Sequence, residues 1–352
     1  MTATVIGRGT LDRLGPLLDE HVGGGRRALL IDATVQRHHG ARVTAALGAS
    51  AVVLELPSGE HHKTRDEWAR LTDRLLAADC DRDTVIVAVG GGVTTDLAGF
   101  VAATFLRGVP LVSVPTTLLA MVDAAHGGKT GVDTPAGKNL VGAFHEARLV
   151  IVDPEVLHTL PGPVWRDGFA EVLKHGVIAD ADYFAQVESL LGALMGPDGA
   201  AHASVGDVVA RSIAIKQAIV RDDPREQGRR RTLNFGHTIA HALERVTDFR
   251  VSHGAAVAVG MCIEARLAVR LGLADAALPQ RLSDVLARIP LPTRLPAGLD
   301  VEAMLAATRG DKKRAQGAVR YALPTAIGRM LEADGAWVTA VDDADVRAVL
   351  VD

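Results

Sequence analysis

The first half of the sequence alternates short apolar runs with amphipathic stretches, and this alternation restricts the possible folds more than any other feature. Apolar runs of strand length lie at 27–32, 51–55, 83–89 and 109–114. Residues 67–78, between the second and third runs, carry apolar side chains at helical spacing. Strands and helices that alternate in this way form a mostly parallel sheet with helices on its faces. The sequence therefore predicts an α/β fold with a Rossmann-like N-terminal domain.

The third apolar run ends in three glycines at 90–92, and a stretch with helical spacing follows. A glycine turn between a strand and a helix presents backbone N–H groups and a helix N-terminus to a pyrophosphate. The triplet does not match Gly-x-Gly-x-x-Gly, and such triplets also occur as ordinary tight turns. Glu60 follows the second run, and the hydroxyls of Thr116 and Thr117 follow the fourth. Because ligands of open α/β sheets bind at the carboxyl ends of the strands, these groups favour dinucleotide binding.

A glycine-bordered segment at 123–140 carries two lysines and an asparagine, and we expect it to form loops. It does not match the phosphate-binding loop of Walker-type nucleotidases, because position 123, five residues before Gly128, is not a glycine. Lys129, Lys138 and Asn139 suit an anionic, phosphorylated small molecule instead. Isolated lysines in such segments are usually solvated, so the prediction depends on their density here.

A cluster of proline and glycine at 160–163 is the predicted domain boundary. It divides the chain into a nucleotide-binding α/β domain at 1–160 and an all-helical domain at 161–352. The second domain is predicted to bind metal and substrate.

Histidines and a glutamate recur on the predicted helices of the second half. His237 and His241 are four residues apart and therefore share a helix face. Glu171 lies among apolar residues, where a carboxylate is either a structural ion-pair partner or a metal ligand. His253 begins a long apolar helix. Glu171, His237 and His253, with His241 as a competitor, provide three protein ligands and an open position, which is the composition of a catalytic zinc site.

Composition excludes several function classes. The net charge is −4, which argues against a nucleic-acid partner, and the aromatic content of 3% gives no base-stacking surface. The N-terminus has no signal-peptide pattern, and the apolar runs are too short to cross a bilayer, so no membrane partner is expected. Cys80 and Cys262 show no ligand spacing and are expected to be buried free thiols, consistent with a reducing cytoplasm.

Taken together, these motifs resemble the 3-dehydroquinate synthase family of the sugar phosphate cyclase superfamily over nearly the whole chain. The matching runs lie at 57–63, 90–108, 115–144, 157–176, 216–244, 253–261 and 311–313. The resemblance implies a cytoplasmic, homodimeric carbon–oxygen lyase of the shikimate pathway, and hence of aromatic amino-acid biosynthesis. It implies tightly bound NAD and a divalent metal, zinc or cobalt.

The implied reaction converts 3-deoxy-D-arabino-heptulosonate 7-phosphate to 3-dehydroquinate and phosphate. In the family, NAD transiently oxidises the substrate, phosphate leaves by β-elimination, the hydride returns, and an intramolecular aldol reaction closes the ring. The metal polarises the hydroxyl that is oxidised. No external reductant is consumed.

The resemblance also implies roles for individual residues. The implied metal ligands are Glu171, His237 and His253. Positions that contact NAD in the family correspond to Glu60, Lys63, Gly91, Gly92, Asp96, Thr116, Thr117, Lys129, Lys138 and Thr159. Catalytic positions correspond to Lys129, Lys174, Lys216, Arg230, Asn234 and His241. The other substrate-binding positions correspond to Arg107, Asp123, Lys138, Asn139 and either Lys312 or Lys313.

Among these, Lys216 and Arg230 suit the substrate carboxylate, and Lys129, Asn139 and His241 suit the departing phosphate. Arg107 matches an arginine that reaches the substrate of the neighbouring subunit in the family. Asp133 replaces a frequent asparagine, and His126 replaces a frequent small apolar residue. Neither departure removes one of the groups named above.

Three other functions remain compatible with the sequence. An aminodehydroquinate synthase of a secondary-metabolite pathway shares nearly every catalytic residue. A metal-dependent polyol dehydrogenase has the same two-domain plan, but it would reduce added NAD. A zinc-bearing scaffold or NAD sensor would bind without turnover, and the many lysines and arginines argue against it.

Overall fold

The computed structural model describes residues 2–310 and 319–351, which fall into two compact units. The first unit comprises Met1–Pro161 and Ala203–Ile213, and the second comprises Gly162–His202 and Ala214–Asp352. Lys312 and Lys313, which the resemblance assigns to the substrate, lie outside the described residues.

The first unit contains a parallel six-stranded sheet, a separate hairpin and four complete helices. Its strands are β1 (Ala3–Ile6), β2 (Arg27–Asp32), β3 (Val52–Leu56), β4 (Val85–Gly90), β5 (Leu111–Pro115), β6 (Lys129–Thr134), β7 (Gly137–Phe144) and β8 (Leu149–Val152). Its helices are α1 (Leu14–His21), α2 (Ala33–Leu47), α3 (Arg65–Ala77) and α4 (Gly92–Thr104). Short 3-10 turns lie at Thr10–Arg13, Glu60–His62, Phe105–Arg107 and Pro154–Thr159, and a π-helical turn lies at Ala120–Ala124.

The large sheet has the strand order β3-β2-β4-β5-β8-β1, and all of its pairs are parallel. Every residue of β4, β5 and β8 is buried, as expected for central parallel strands covered on both faces. The chain runs outward from β2 to β3 and then returns to β4 on the other side of β2. This reversal is the switch point at which open α/β sheets bind ligands. The predicted α/β fold is confirmed.

Local signals account for the helix boundaries in this unit. The helix predicted at 67–78 begins at Arg65, because the Thr64 hydroxyl caps it by accepting a hydrogen bond from the N–H of Glu67 at 3.2 Å. Asp32, the last residue of β2, caps α2 by accepting hydrogen bonds from the N–H groups of Thr34 and Val35.

The segment that carries Lys129, Lys138 and Asn139 is a hairpin rather than the predicted loops. β6 and β7 pair antiparallel, with Lys129 opposite Phe144 and Gly131 opposite Gly142. A Cβ atom on Gly142 would lie 2.1 Å from the carbonyl oxygen of Thr130. The glycines that suggested loops thus permit two strands to approach closely.

The second unit is mainly helical. Its helices are α5 (Gly162–Ala179), α6 (Ala181–Leu194), α7 (Val205–Asp222), α8 (His237–Val246), α9 (His253–Arg270), α10 (Leu278–Ala287), α11 (Val301–Gly310) and α12 (Asp343–Val351), and the boundary between the units falls within α7. Short 3-10 turns lie at Gly199–Ala201 and Arg229–Asn234. α9 is buried along most of its length and contacts α5, α8, α10 and α12.

Two small ribbons interrupt the predicted all-helical pattern. They pair β9 (Arg320–Tyr321) with β12 (Thr339–Ala340), and β10 (Pro324–Ala326) with β11 (Arg329–Met330). Strands of two or three residues are too short for alternating hydrophobicity to reveal them. Across residues 2–310 and 319–351, no helix is both long and apolar enough to cross a membrane.

Cys80 and Cys262 are buried free thiols, as predicted. Burial raises the pKa of the Cys262 thiol to about 12. Thiolates are the reactive form of cysteine, so Cys262 is an inert core residue at neutral pH.

Candidate functional site

Polar groups and glycines gather at the carboxyl end of the parallel sheet in the first unit. We call this set the nucleotide edge. Its members follow β3 (Glu60 and Lys63), β4 (Gly91, Gly92 and, in α4, Asp96), β5 (Thr116 and Thr117) and β8 (Thr159). α4 begins at Gly92, directly after β4, so its first-turn N–H groups lie at the same edge. A helix N-terminus at this place is suited to the negative charge of a pyrophosphate.

Lys63 is a buried cation at the nucleotide edge, and two carboxylates pair with it. Its side chain is only 3% exposed, and its Nζ lies 2.7 Å from Oδ2 of Asp96 and 3.7 Å from Oε1 of Glu60. Burial lowers the pKa of Lys63, but the Asp96 and Glu60 carboxylates outweigh that effect and raise it overall. Lys138 approaches the same Glu60 oxygen at 3.5 Å. Lys63 is therefore a buried, charged residue held between carboxylates.

Asp133 links the nucleotide edge to the hairpin of β6 and β7. Its N–H donates to the carbonyl of Lys63 at 2.7 Å, and its carboxylate accepts a hydrogen bond from the N–H of Asn139 at 2.9 Å. Burial raises the pKa of the Asp133 carboxyl, although Lys63 opposes this effect. Lys129 begins the hairpin and is exposed.

A buried histidine supports Thr159. Nε2 of His39 lies 2.9 Å from the Thr159 hydroxyl, which also donates to the carbonyl of Val156 at 3.0 Å. Burial lowers the pKa of His39, so the ring is neutral at pH 7. His39 was not among the predicted residues.

The last two predicted residues of this unit lie outside the nucleotide edge. Asp123 is in the π-helical turn, and Arg107 is exposed after α4. Leu106 and Arg107 both have positive φ angles, 48° and 71°. Non-glycine residues adopt this conformation at an energetic cost, and such residues concentrate at functional sites.

In the second unit, three helices bring a carboxylate and two imidazoles together. Glu171 lies in the middle of α5, and His237 and His253 are the first residues of α8 and α9. Oε1 of Glu171 lies 3.4 Å from Nε2 of His237 and 3.5 Å from Nε2 of His253. The ligand atoms of the three residues all lie within 4.8 Å of one another. We call these three residues the metal cluster.

The spacing within the metal cluster fits a divalent cation. Ligands about 2.0–2.1 Å from a tetrahedral zinc ion lie roughly 3.3 Å from one another, close to the two distances from Glu171. Glu171 is fully buried, and burying a carboxylate away from compensating charge is costly. The buried ammonium of Lys174 contacts the other Glu171 oxygen. The donor set and its spacing are therefore suitable for zinc or a similar ion.

The two cluster histidines differ in their electrostatics. Burial and the nearby Lys174 lower the pKa of His237 well below its usual value, so its imidazole is neutral, as a metal ligand must be. Burial also lowers the pKa of His253, but hydrogen bonding to Glu171 and Glu244 outweighs this and raises it to about 10. The His253 ring therefore holds a proton on each nitrogen when no metal is bound. A cation bound at Nε2 would displace the proton on that nitrogen, because metals and protons compete for the same lone pair.

His241 is not part of the metal cluster. Its ring centroid lies 5.5 Å from that of His237, and the rings are nearly perpendicular at 87°. Among the described residues, the group with ligand spacing around His237 contains Glu171 and His253, without His241. The geometry therefore favours His237 as a metal ligand and a separate role for His241.

Within the described part of this unit, the other predicted residues lie on α5, α7, α8 and one 3-10 turn. Lys216 lies on α7 and is buried. Arg230 is 2% exposed, and its guanidinium donates to the carbonyl of Pro224 at 2.6 Å. Nδ2 of Asn234 donates to Oε1 of Glu226 at 2.6 Å. Arg230 and Asn234 are therefore held in place by the preceding turn.

Sequence reasoning missed the carboxylates that support these groups, which are Asp167, Glu226, Glu244 and Glu264. Asp167 caps α9 by accepting hydrogen bonds from the Ser252 hydroxyl and, at 3.1 Å, from the N–H of Ala255. Glu264 accepts hydrogen bonds at the start of α8, and Glu244 approaches His253. The signal that singled out Glu171, an acid within an apolar helical run, also applies to Glu264.

Family models and individual proteins resemble this chain over most of its length. Residues 53–167 match the model described as 3-dehydroquinate synthase N-terminal, and residues 168–314 match that described as 3-dehydroquinate synthase C-terminal. A 3-dehydroquinate synthase from Symbiobacterium thermophilum is 46% identical over 331 residues, covering 93% of this chain and 92% of the relative.

Two solved structures share the fold over almost their whole length. ValA, a 2-epi-5-epi-valiolone synthase from Streptomyces hygroscopicus subsp. jinggangensis 5008 with NAD+ and Zn2+ bound, is 29% identical, with a TM-score of 0.87 over 100% of this chain and 96% of that one. A 2-deoxy-scyllo-inosose synthase complexed with carbaglucose-6-phosphate, NAD+ and Co2+ is 26% identical, with a TM-score of 0.87 over 99% and 95%. By these matches, the chain belongs to the 3-dehydroquinate synthase family.

Proposed function

We propose that this protein is a 3-dehydroquinate synthase that binds NAD and a divalent metal ion. It converts 3-deoxy-D-arabino-heptulosonate 7-phosphate to 3-dehydroquinate and phosphate. The observation that carries the proposal is the metal cluster, in which Glu171, His237 and His253 converge at the ligand spacing of a single cation. Relatives named 3-dehydroquinate synthase are 41–46% identical to the chain, and this similarity also supports the proposal.

We assign the binding of NAD and the binding of metal and substrate to different parts of the chain. Residues 1–160 bind NAD through the nucleotide edge, and residues 161–352 bind the metal and most of the substrate. When bound, the metal supplies a Lewis acid, and NAD supplies a hydride acceptor that is regenerated within each turnover. The net reaction therefore eliminates phosphate and closes a ring without consuming an oxidant.

The side chains of this chain bind and orient the substrate. Lys216 and Arg230 are both buried cations, suited to a substrate carboxylate in a low-dielectric site. Lys129, Asn139 and His241 hold the phosphate, and either Lys312 or Lys313 adds a further cation. Asn234 is oriented by Glu226 and keeps its carbonyl oxygen available for a hydroxyl donor. Lys174 balances the charge of Glu171.

At the nucleotide edge, Glu60 accepts hydrogen bonds from ribose hydroxyls, and the first turn of α4 faces the pyrophosphate. The protein acts in the cytoplasm as a homodimer. Arg107, presented by a left-handed backbone, reaches the substrate of the neighbouring subunit.

A phosphate-release assay tests the proposed function. The purified protein is incubated with the heptulosonate phosphate before and after treatment with a strong chelator. We expect stoichiometric phosphate and dehydroquinate, loss of turnover after chelation, and recovery when zinc or cobalt is added back. Phosphate release that is unaffected by complete removal of divalent metal would contradict the proposal.

The same assay separates the alternative functions. An aminodehydroquinate synthase would prefer the 4-amino analogue of the substrate by a large factor in kcat/KM. A polyol dehydrogenase would accumulate NADH, seen as absorbance in the near ultraviolet, whereas the proposed lyase releases phosphate without net NADH. A scaffold or NAD sensor would bind the ligands and release no phosphate.

A further inference from the structure

We propose that Glu244 and Glu264 are positioning residues for the metal cluster, each acting on the helix opposite its own. Glu264 lies on α9 and holds the start of α8, where His237 stands. Glu244 lies on α8 and holds His253, the first residue of α9. The inference rests on the proposed function in one respect, namely that the metal cluster binds a divalent cation.

Close contact between α8 and α9 makes this exchange geometrically feasible. Gly236, the residue before α8, has a φ of 80°, which favours glycine. A Cβ atom on Gly260 of α9 would lie 1.9 Å from the carbonyl oxygen of Gly236. The two backbones therefore touch, and a side chain on one helix can reach the end of the other.

Glu264 performs the capping that Gly236 cannot perform, since Gly236 has no side chain. The Glu264 carboxylate is fully buried and accepts hydrogen bonds from the N–H of Gly236 at 2.7 Å and from the N–H of Ile239 at 3.3 Å. These donors would otherwise be unpaired in the core at the positive end of the α8 dipole. His237 lies between the two donors in sequence, so the same carboxylate fixes the backbone from which its imidazole projects.

Glu244 acts on the ring of His253 directly. Its side chain is 3% exposed, and Oε1 lies 3.4 Å from Nδ1 of His253. The other ring nitrogen, Nε2, faces Glu171 at 3.5 Å. A carboxylate at Nδ1 favours the tautomer that carries its proton there and leaves the Nε2 lone pair for a metal. Glu244 therefore sets both the orientation and the tautomer of this ligand.

The two helices thus support each other reciprocally. Each carries one ligand and one carboxylate, and each carboxylate serves the ligand of the other helix. A shift of one helix would disturb both histidines at once, so we expect the two carboxylates to be energetically coupled in metal binding.

Zinc affinity of the apoprotein, measured by competition with a chromophoric chelator, tests the proposal without depending on turnover. We expect Glu244→Gln to weaken zinc binding about 10- to 100-fold, as is usual when a carboxylate partner of a metal-bound histidine is lost. We expect Glu264→Ala to weaken it about tenfold or more. The visible absorption of the cobalt-substituted protein should change in both variants, because ligand geometry sets that spectrum.

Asp180→Ala is the matched control. Asp180 caps α6 by accepting a hydrogen bond from the N–H of Tyr183 at 2.9 Å, and α6 carries no residue of the metal cluster. This variant should lower the melting temperature of the apoprotein while leaving zinc affinity and the cobalt spectrum unchanged. A loss of stability alone would therefore not reproduce the expected result.

The outcomes separate this proposal from the proposed function. If Glu244→Gln and Glu264→Ala bind zinc as tightly as the wild type while His237→Ala does not, the positioning roles are wrong and the metal site stands. If His237→Ala also binds zinc like the wild type, the metal cluster itself is wrong. Should Glu264→Ala fail to fold, Glu264→Gln takes its place, because it preserves the size of the side chain but removes the charge and one of the two acceptor oxygens that bind the N–H groups of Gly236 and Ile239. Wild-type zinc affinity in that variant would overturn the role of Glu264.

Discussion

The nucleotide edge and the metal cluster are assembled in different ways. At the nucleotide edge, each group follows a strand of one parallel sheet, so the topology alone brings the groups to the same end. In the metal cluster, α5 and the consecutive helices α8 and α9 each supply one residue, and buried carboxylates hold the first residues of α8 and α9. The position of the first set is thus determined by strand order, whereas that of the second depends on contacts between helices.

His237→Ala should cause the largest loss of activity, and it should separate the metal cluster from the nucleotide edge most clearly, because only zinc binding should be lost. Loss of one of three ligands should abolish tight zinc binding and lower kcat by at least about 10³-fold, because the metal-dependent chemistry is lost. NAD affinity, measured by calorimetry, should stay within about threefold of the wild type. His158→Ala, which removes an exposed histidine, is the control and should change neither quantity. A large loss of NAD affinity in His237→Ala would show that the two regions are not independent.

Lys63→Met tests the nucleotide edge in the same manner. It leaves the carboxylates of Asp96 and Glu60 without their buried cation, and breaking such a pair typically costs about 3–5 kcal/mol; the partial exposure of both carboxylates reduces this, so we expect roughly 2 kcal/mol. NAD affinity should fall, while zinc affinity should be unchanged. Denaturant unfolding and the two binding titrations measure these effects, with Arg65→Ala as a nearby control. Weaker zinc binding in Lys63→Met would contradict the independence of the nucleotide edge and the metal cluster.

His39→Gln concerns pH dependence near Thr159. The folded-state pKa of His39 is lowered by burial, so the unfolded chain takes up a proton first as the pH falls below about 6.5. His39 therefore contributes a loss of stability that begins near that pH and grows as the pH falls toward the folded-state pKa. The variant keeps a polar partner for Thr159, and its melting temperature should fall less than that of the wild type between pH 7 and pH 5. Parallel curves for the two proteins would refute this assignment.

Asp133→Asn should give the smallest effect on stability, and it should stabilise the protein rather than destabilise it. The raised pKa of Asp133 means that its ionised form is disfavoured in the folded state, so its contribution to stability is lost as the pH rises through the folded-state pKa. Asparagine keeps an acceptor oxygen for the N–H of Asn139 and carries no charge. The variant should be slightly more stable than the wild type at pH 7, by less than about 1 kcal/mol. Denaturant unfolding at pH 7 checks this, and a clear destabilisation would show that the Asp133 charge is favourable.

The strands and helices that carry the nucleotide edge were predictable from the sequence because their signals are local. The run at 27–32 forms β2 over the same residues, and the glycines at 90–92 join β4 to α4 as expected. The hairpin of β6 and β7 was missed, since its glycines indicated loops while the close approach of two backbones required them.

For the second unit, the residue types in the metal cluster were predictable, but their supports were not. Glu171, His237 and His253 are ligand types in apolar surroundings, and that pattern is visible in a sequence. Which helix end Glu264 caps depends on how α8 and α9 cross, and no local pattern encodes that crossing. Glu244 was overlooked for the same reason, because its partner lies on another helix.

The contact between Gly236 and Gly260 has a consequence for how this protein can change over time. Because the backbones of these two glycines meet, a side chain at Gly260 would have to push α8 and α9 apart at that point. α10 and α12 also pack on α9, so its other contacts are made through side chains that substitutions can change. We therefore expect the spacing of the two histidines to be less sensitive to gradual change in core composition during evolution than to the loss of either glycine.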